Sequence, residues 1–204
     1  MFEEFQDRYP RDTQTVQHGD STNLPDVDGL RNFVTEFGGS SFGDGIYRVV
    51  APSDGEIWAE RIRIAFPKFE ERATCFAFDW LGRAFALDMG RMESGSAGVV
   101  MFEPGTAEAL EIPANLETFH TEELLDYGEA ALAISFYQKW LAQGGGAPAY
   151  DQCVGYRKPL FLGGADEVEN LVISDLDVYW HLAGQLIQQT RGLPPGTVVR
   201  ASID

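Results

Sequence analysis

Basic residues are scarce in this chain. Its 204 amino acids include 15 lysines and arginines against 32 aspartates and glutamates, so the formal net charge is −17 at pH 7. Proteins that bind DNA or RNA need a basic surface to displace counterions from the phosphate backbone. The composition therefore argues against a nucleic-acid-binding protein and, if the partner is a protein, favours a basic one.

Long apolar runs and cysteines are also scarce. No stretch approaches the roughly 20 consecutive apolar residues that span a bilayer, and residues 1–10 lack the apolar stretch of a signal peptide. We therefore expect a cytoplasmic protein with no membrane partner. Cys75 and Cys153 are too few for a disulfide framework or a zinc cluster, and their apolar neighbours predict two reduced thiols in the core.

Hydrophobic residues, in contrast, are abundant enough for a large core. They make up 44% of the chain, and aromatic residues make up 12%, which is typical of a globular protein and not of a disordered one. We expect a single domain over residues 24–192. Residues 1–23 are polar and show no periodicity, which predicts a loosely attached leader, and residues 193–204 are predicted to form a C-terminal tail.

Apolar residues recur with helical spacing in four stretches, near residues 25–37, 53–66, 116–141 and 174–188. The second and fourth stretches each begin with a Ser-x-x-acid capping box, at Ser53 and at Ser174. Pro67 follows the second stretch, and proline ends a helix because it has no N–H to donate. These patterns predict helices on either side of the middle of the chain.

From Thr74 onward the apolar period changes to two, which predicts strands. Phe76, Phe78 and Trp80 occupy alternate positions, and a tight connection at Leu81-Gly82 leads into a second strand of a hairpin. Two further strands, near residues 99–102 and 109–112, are joined by Glu103-Pro-Gly-Thr106, which predicts a type II turn. The predicted fold is therefore α+β, with an antiparallel β-sheet meander flanked by helices.

Residue patterns for cofactors and metals are weak. The glycine-rich segment 38–45 lacks the lysine of a phosphate-binding loop and follows a helix, so a helix cap and turn are favoured. Glu117 and His120 form one Glu-x-x-His step, for which an exposed helix histidine is favoured over a metal ligand. Asp175 and Asp177 form an Asp-x-Asp step that fits a helix cap better than a divalent-ion site. No cofactor or metal is predicted.

An enzyme would need titratable groups that converge in a pocket. Asp79, Arg83 and Arg48 are the candidates for such a pocket in this sequence. The chain has neither a GxSxG elbow nor an HExxH motif, so no catalytic residue is assigned. An enzyme is the least favoured of the interpretations considered.

Acidic residues are concentrated in two stretches that contain no lysine or arginine, residues 103–130 and 166–177. Like charges placed together repel, so an interaction surface for a basic partner is one interpretation, and an ordinary solvated face is the other. Trp80, Tyr127 and Tyr179 could supply contacts beside such a surface or belong to the core. The predicted partner-binding residues lie on one acidic helix, Glu117, Glu122, Glu123, Asp126 and Glu129, with Asp175 and Asp177 as a second patch.

Several segments together resemble the C-terminal domain of Tdi-type type VI secretion immunity proteins. They run from Phe37 to Val49, from Cys75 to Leu87, from Val100 to Thr106 and from Cys153 to Gly164, and the pattern closes over residues 170–188. More distantly, the chain resembles the SUKH superfamily of toxin-immunity proteins, which implies a SUKH-like fold.

The resemblance implies a bacterial, non-enzymatic α+β protein that binds a cognate toxin and blocks it. The toxin of the Tdi-type family is a DNase, and the basic substrate cleft of a nuclease would be occluded by an acidic protein, in agreement with the charge of −17. A housekeeping regulatory or interaction protein of the same fold, with a partner that is not a toxin, is the alternative.

Overall fold

An antiparallel sheet of seven strands lies at the centre of the computed structural model, which describes residues 2–15, 27, 29–194 and 197. Each strand pairs with the next one along the chain, so the sheet is a simple meander. The strands are β1 (Arg11–Thr15), β2 (Ser40–Phe42), β3 (Tyr47–Val49), β4 (Ala73–Asp79), β5 (Ala84–Glu93), β6 (Ser96–Glu103) and β7 (Glu108–Asn115).

Helices cover this sheet, and a second sheet of two strands packs beside it. The helices are α1 (Glu3–Arg8), α2 (Leu30–Phe37), α3 (Gly55–Ala65), α4 (Leu116–Thr118), α5 (Leu124–Asp126), α6 (Gly128–Leu132), α7 (Ile134–Ala142) and α8 (Leu176–Thr190). A π-helical turn at Phe119–Glu123 joins α4 to α5, and β8 (Gln152–Tyr156) pairs with β9 (Leu171–Asp175). The architecture confirms the predicted α+β class and the antiparallel meander. No helix among the described residues is both long enough and apolar enough to cross a membrane.

The large sheet has a hydrophobic core on each of its two faces. Phe85 and Leu87 of β5 pack into one core, whereas Ala84 and Ala86 pack into the other, as alternating side chains of a strand do. The first core also holds apolar residues of α1, α2 and residues 116–137. The second core holds those of α3 and α8. The sheet therefore separates the segment 116–137 from α3 and α8.

A bulge in β4 changes the predicted strand pattern. The pairing of β4 with β5 shifts register between Cys75 and Ala77, so one extra residue is inserted and the faces reverse. Phe76 consequently packs into the first core and Phe78 into the second. Alternation alone placed both rings on one side, because a bulge leaves no simple trace in the spacing of apolar residues.

Residues 2–15 differ from the predicted loosely attached leader. Phe2, Phe5 and Tyr9 are buried in the first core, and Tyr9 Oη donates a hydrogen bond to the carbonyl oxygen of Leu124 at 2.8 Å. β1 adds an edge strand to the sheet through its pairing with β2. Because these aromatic residues stand in an otherwise polar stretch, the sequence pattern does not predict that the segment docks on the core. Residues 16–23 of the leader and most of the predicted tail, 193–204, lie outside the described residues.

Two predicted local structures are wrong in detail. Asp175, not Ser174, caps α8, because its carboxylate accepts the Val178 N–H at 3.0 Å. The side chain of Ser53 caps no helix; its hydroxyl donates to Asp54 at 2.9 Å instead. Adjacent candidate caps compete for the same helix N-terminus, and sequence spacing does not decide between them.

The turn between β6 and β7 is not of type II. A type II turn requires a positive φ at its third residue, yet Gly105 is not among the residues with positive φ, and Ala107 has a φ of 63° instead. Gly105 is needed for close packing, because a Cβ atom there would lie 2.7 Å from the Tyr156 ring. Its carbonyl oxygen also accepts the Leu160 N–H at 2.8 Å.

Both cysteines are free and buried, as predicted for core thiols. Cys75 and Cys153 belong to the second core. Burial raises the pKa of the Cys153 thiol to about 12, so the thiol form, which is a poor nucleophile, prevails.

Candidate partner-binding surface

The five acidic residues predicted on one helix lie on a chain of short helical pieces. Glu117 belongs to α4, Glu122 and Glu123 to the π-helical turn, Asp126 to α5 and Glu129 to α6. The first piece begins at a capping box, in which the Asn115 carboxamide accepts the Thr118 N–H at 3.0 Å. The prediction of a single acidic helix is therefore wrong, because the chain changes its helical pitch within the segment.

Four of these five side chains are exposed, and Glu123 is half-buried. Burial raises the pKa of the Glu123 carboxyl. Glu129 has a structural contact, since its carboxylate accepts hydrogen bonds from the backbone N–H and the hydroxyl of Ser135 at 3.0 and 2.9 Å. We call this surface the acidic segment; it is residues 117–129.

Asp175 and Asp177 lie elsewhere. Both are exposed at the start of α8, where Asp175 forms the cap and Asp177 forms an ion pair with Arg61 of α3 at 2.7 Å. α8 packs on the second face of the sheet and the acidic segment on the first. The structure therefore does not bring the two predicted patches together.

A cleft of about 860 Å³ opens beside Asp175 and Asp177. Trp58, Phe78 and Tyr150 contribute aromatic surface to its wall, and Arg61 is the one basic residue that lines it within the described part of the chain. We call it the acidic cleft. Its acidic residues are six aspartates from distant parts of the sequence: Asp12, Asp44, Asp54, Asp151, Asp175 and Asp177.

Hydrogen bonds hold the wall of this cleft in place. The Asp12 carboxylate accepts the backbone N–H groups of Asp44 and Gly45, each at 2.9 Å, which ties β1 to the turn before β3. Tyr150 Oη accepts the Ala51 N–H at 2.7 Å and lies 3.2 Å from an Asp54 carboxylate oxygen, to which it donates. Burial, with a smaller contribution from Asp54, raises the pKa of Tyr150, so the hydroxyl keeps the proton that it donates.

The residues considered for a catalytic pocket are buried in the protein. The Asp79 carboxylate accepts the Leu81 N–H at 3.0 Å and the Arg83 guanidinium at 2.6 Å, which fixes the turn between β4 and β5. Arg48 donates to the carbonyl oxygens of Ala149 and Gln152, two residues that line the acidic cleft. The three side chains therefore hold loops in position, and none of them lines the acidic cleft.

His120 is buried, so the prediction of an exposed helix histidine is wrong. The imidazole is in contact with aromatic rings, with its centroid 4.5 Å from that of Phe33 and 5.2 Å from that of Phe2. Burial lowers its pKa to about 4, and the ring is neutral at pH 7. Nδ1 then donates to the Leu116 carbonyl oxygen and Nε2 accepts from Tyr47 Oη, both at 2.8 Å. Within the described residues, no group of three histidine, cysteine or acidic side chains could hold a metal ion.

The aromatic candidates differ in exposure. Trp80 and Tyr179 are buried, and Trp80 Nε1 donates to the Leu132 carbonyl oxygen at 2.8 Å. Tyr127 is 61% exposed beside Asp126 in the acidic segment. Only Tyr127 of the three is therefore placed for contact with a partner.

Comparison with protein families gives a match to part of the second half of the chain. Residues 114–187 match the model of a family described as T6SS immunity protein Tdi1, C-terminal. The resemblance to Tdi-type immunity proteins is confirmed over this range. The matched residues include the acidic segment, Asp175 and Asp177, whereas the link to the SUKH superfamily stays a prediction.

A solved structure is similar to nearly the whole chain. The crystal structure of Atu4351 from Agrobacterium tumefaciens matches with a TM-score of 0.63 and 14% sequence identity, over 91% of this chain and 89% of that one. At this identity, the likeness supports the α+β fold alone. A search of curated protein sequences gave no match.

Proposed function

We propose that this protein is an immunity protein that binds a cognate type VI secretion toxin and neutralises it without catalysing a reaction. The observation that carries the proposal is the family match over residues 114–187. The charge of −17 supports it independently, because a strongly acidic surface attracts a basic partner and repels nucleic acid. Neutralisation takes place in the cytoplasm, where a nuclease toxin would meet its substrate.

The toxin is a nuclease in this proposal, and the immunity protein occludes its active site. A nuclease binds the phosphate backbone through a basic cleft, and carboxylates on a protein surface can occupy the same positive field. The acidic segment and the acidic cleft are the two surfaces that could do this. The partner-binding residues proposed from the sequence are divided between them: Asp175 and Asp177 line the acidic cleft, and the acidic segment holds Glu117, Glu122, Glu123, Asp126 and Glu129.

Capture of the partner followed by co-expression tests this function. The tagged protein is used to retain proteins from its own cells, and each retained protein is then expressed alone and together with the full chain. We expect one basic protein that degrades DNA and stops growth alone, and that is harmless in the presence of the chain. Retention only of proteins that are harmless when expressed alone would favour the alternative, a regulatory protein with a housekeeping partner.

A further inference from the structure

A shallow apolar groove lies between α3 and α8. Its volume is about 370 Å³, and Ile57, Ile64, Trp180 and His181 contribute to its wall. The side chain of Ile57 is 45% exposed. An isolated exposed isoleucine is ordinary, but this one stands at the edge of a groove that is also lined by the half-buried Ile64 and the buried Trp180.

Carboxylates surround the apolar groove. Glu56 and Glu60 line it from α3 and Asp177 lines it from α8. Arg61 pairs with Asp177 and stacks on Trp58 at 4.4 Å, so it is held within the protein and is not extended toward a partner. Glu60 is likewise paired with Arg63 of α3. A partner that enters this groove therefore meets apolar surface at the centre and, at the rim, the Glu56 carboxylate together with two ion-paired carboxylates.

The apolar groove and the acidic cleft are neighbours. Ile57, Arg61 and Asp177 line both of them, so one partner segment could contact both at once. Binding interfaces commonly combine a buried apolar anchor, which supplies affinity, with charged groups that select the partner. The surface formed by the groove and the cleft has both components, and residues of the acidic segment line neither the groove nor the cleft.

We propose that the apolar groove and the acidic cleft together form the docking face for one segment of the toxin, and that this segment carries a bulky apolar side chain next to lysine or arginine. The apolar side chain enters the groove beside Ile57, and the basic side chains enter the cleft among its aspartates. This inference rests on the proposed function, since it names the part of the chain that holds the toxin. It assigns the acidic segment, on the other face of the sheet, no part in this contact.

Binding of the captured toxin to purified variants of the full chain tests the docking face. Ile57→Asp removes the apolar anchor while adding negative charge, and the double variant Glu56→Lys with Asp151→Lys reverses charge on both sides of the face. The matched control is Glu122→Lys with Asp126→Lys, which makes the same charge change on the acidic segment. All five positions are exposed, so the substitutions should leave the fold intact, and unfolding midpoints equal to that of the unmodified chain verify this.

We expect Ile57→Asp to weaken binding about 10-fold or more, as truncation of an interface anchor does. The charge-reversed face should weaken binding about as much, through slower association and a smaller dependence on salt. The control should stay within about threefold of the unmodified chain, because its charges lie away from the contact. If the unmodified chain binds the toxin and both docking-face variants bind it equally well, the docking face is overturned but the proposed function is not. A wild-type chain that binds no toxin would overturn the proposed function as well.

Discussion

His120 and Tyr47 show how a single buried pair connects the strands to the acidic segment. The imidazole donates to a carbonyl oxygen of α4 and accepts from the Tyr47 hydroxyl of β3. The pKa of Tyr47 is well above its ordinary value because of burial, so its hydroxyl stays protonated and can donate. A protonated imidazole would lose this acceptor and place a charge among aromatic rings.

The pH dependence of stability follows from His120. Its pKa falls from 6.5 in the unfolded chain to about 4 in the folded protein, so the unfolded chain binds the proton first as the pH drops. The contribution of neutral His120 to the free energy of unfolding is fully present above pH 6.5. That free energy falls by about 3 kcal/mol as the pH drops toward 4. His120→Gln keeps a donor and an acceptor but does not titrate, so its unfolding free energy should fall less over this range. Urea unfolding at pH 7 and pH 4.5 measures the difference, and equal falls for both proteins would contradict this role.

Asp79 provides a second test at the scale of residues. Its carboxylate is fully buried beside the guanidinium of Arg83. Asp79→Asn should cost about 3 kcal/mol, because it leaves a buried charge without its partner. Glu60→Gln breaks the exposed ion pair with Arg63 and should leave the urea midpoint unchanged. Similar effects of the two substitutions would show that burial does not govern these pairs.

At the scale of elements, periodicity predicted the elements whose residues have ordinary geometry. The stripe of Leu30, Phe33, Val34 and Phe37 predicts α2, which runs from Leu30 to Phe37. Alternation of large and small residues predicts β4 and β5. The continuous apolar run 99–102 predicts β6, which is buried at consecutive positions because both faces of the sheet are covered. Periodicity predicts the structure less accurately where the backbone geometry changes locally. The β4 bulge and the short helical pieces of the acidic segment are the two examples.

The start of α8 gives a prediction at this scale. Asp175→Ala removes the side chain that accepts the Val178 N–H and should cost about 1 kcal/mol. Ser174→Ala, one residue away, should cost much less, because Ser174 belongs to β9 and does not cap the helix. Urea unfolding of both variants distinguishes them. A larger effect at Ser174 would restore the capping box predicted from the sequence.

The whole molecule carries acid on both faces of its sheet. The acidic segment could be found from the sequence because its acidic residues lie close together along the chain. The acidic cleft could not, because Asp12, Asp44, Asp54 and Asp151 are brought to Asp175 and Asp177 only by the meander and by β8 and β9. Net charge predicts a basic partner, and the acidic cleft is a concave surface that could select it.

Charge at this scale gives a prediction that does not depend on the docking face. Attraction between a chain of net charge −17 and a basic toxin is screened by salt. The association rate should therefore fall steeply as ionic strength rises, whereas the dissociation rate should change little. Stopped-flow association at low and moderate salt measures both rates. An association rate that is independent of salt would argue that net charge does not guide the encounter.

Titration of the toxin's activity tests most directly the proposal that this chain neutralises a nuclease toxin by binding it. The captured toxin is incubated with DNA while the purified chain is added in increasing amounts. We expect cleavage to fall in proportion to the chain added and to stop when enough is present to bind all of the toxin. Cleavage that continues unchanged with excess chain bound to the toxin would contradict occlusion of the active site.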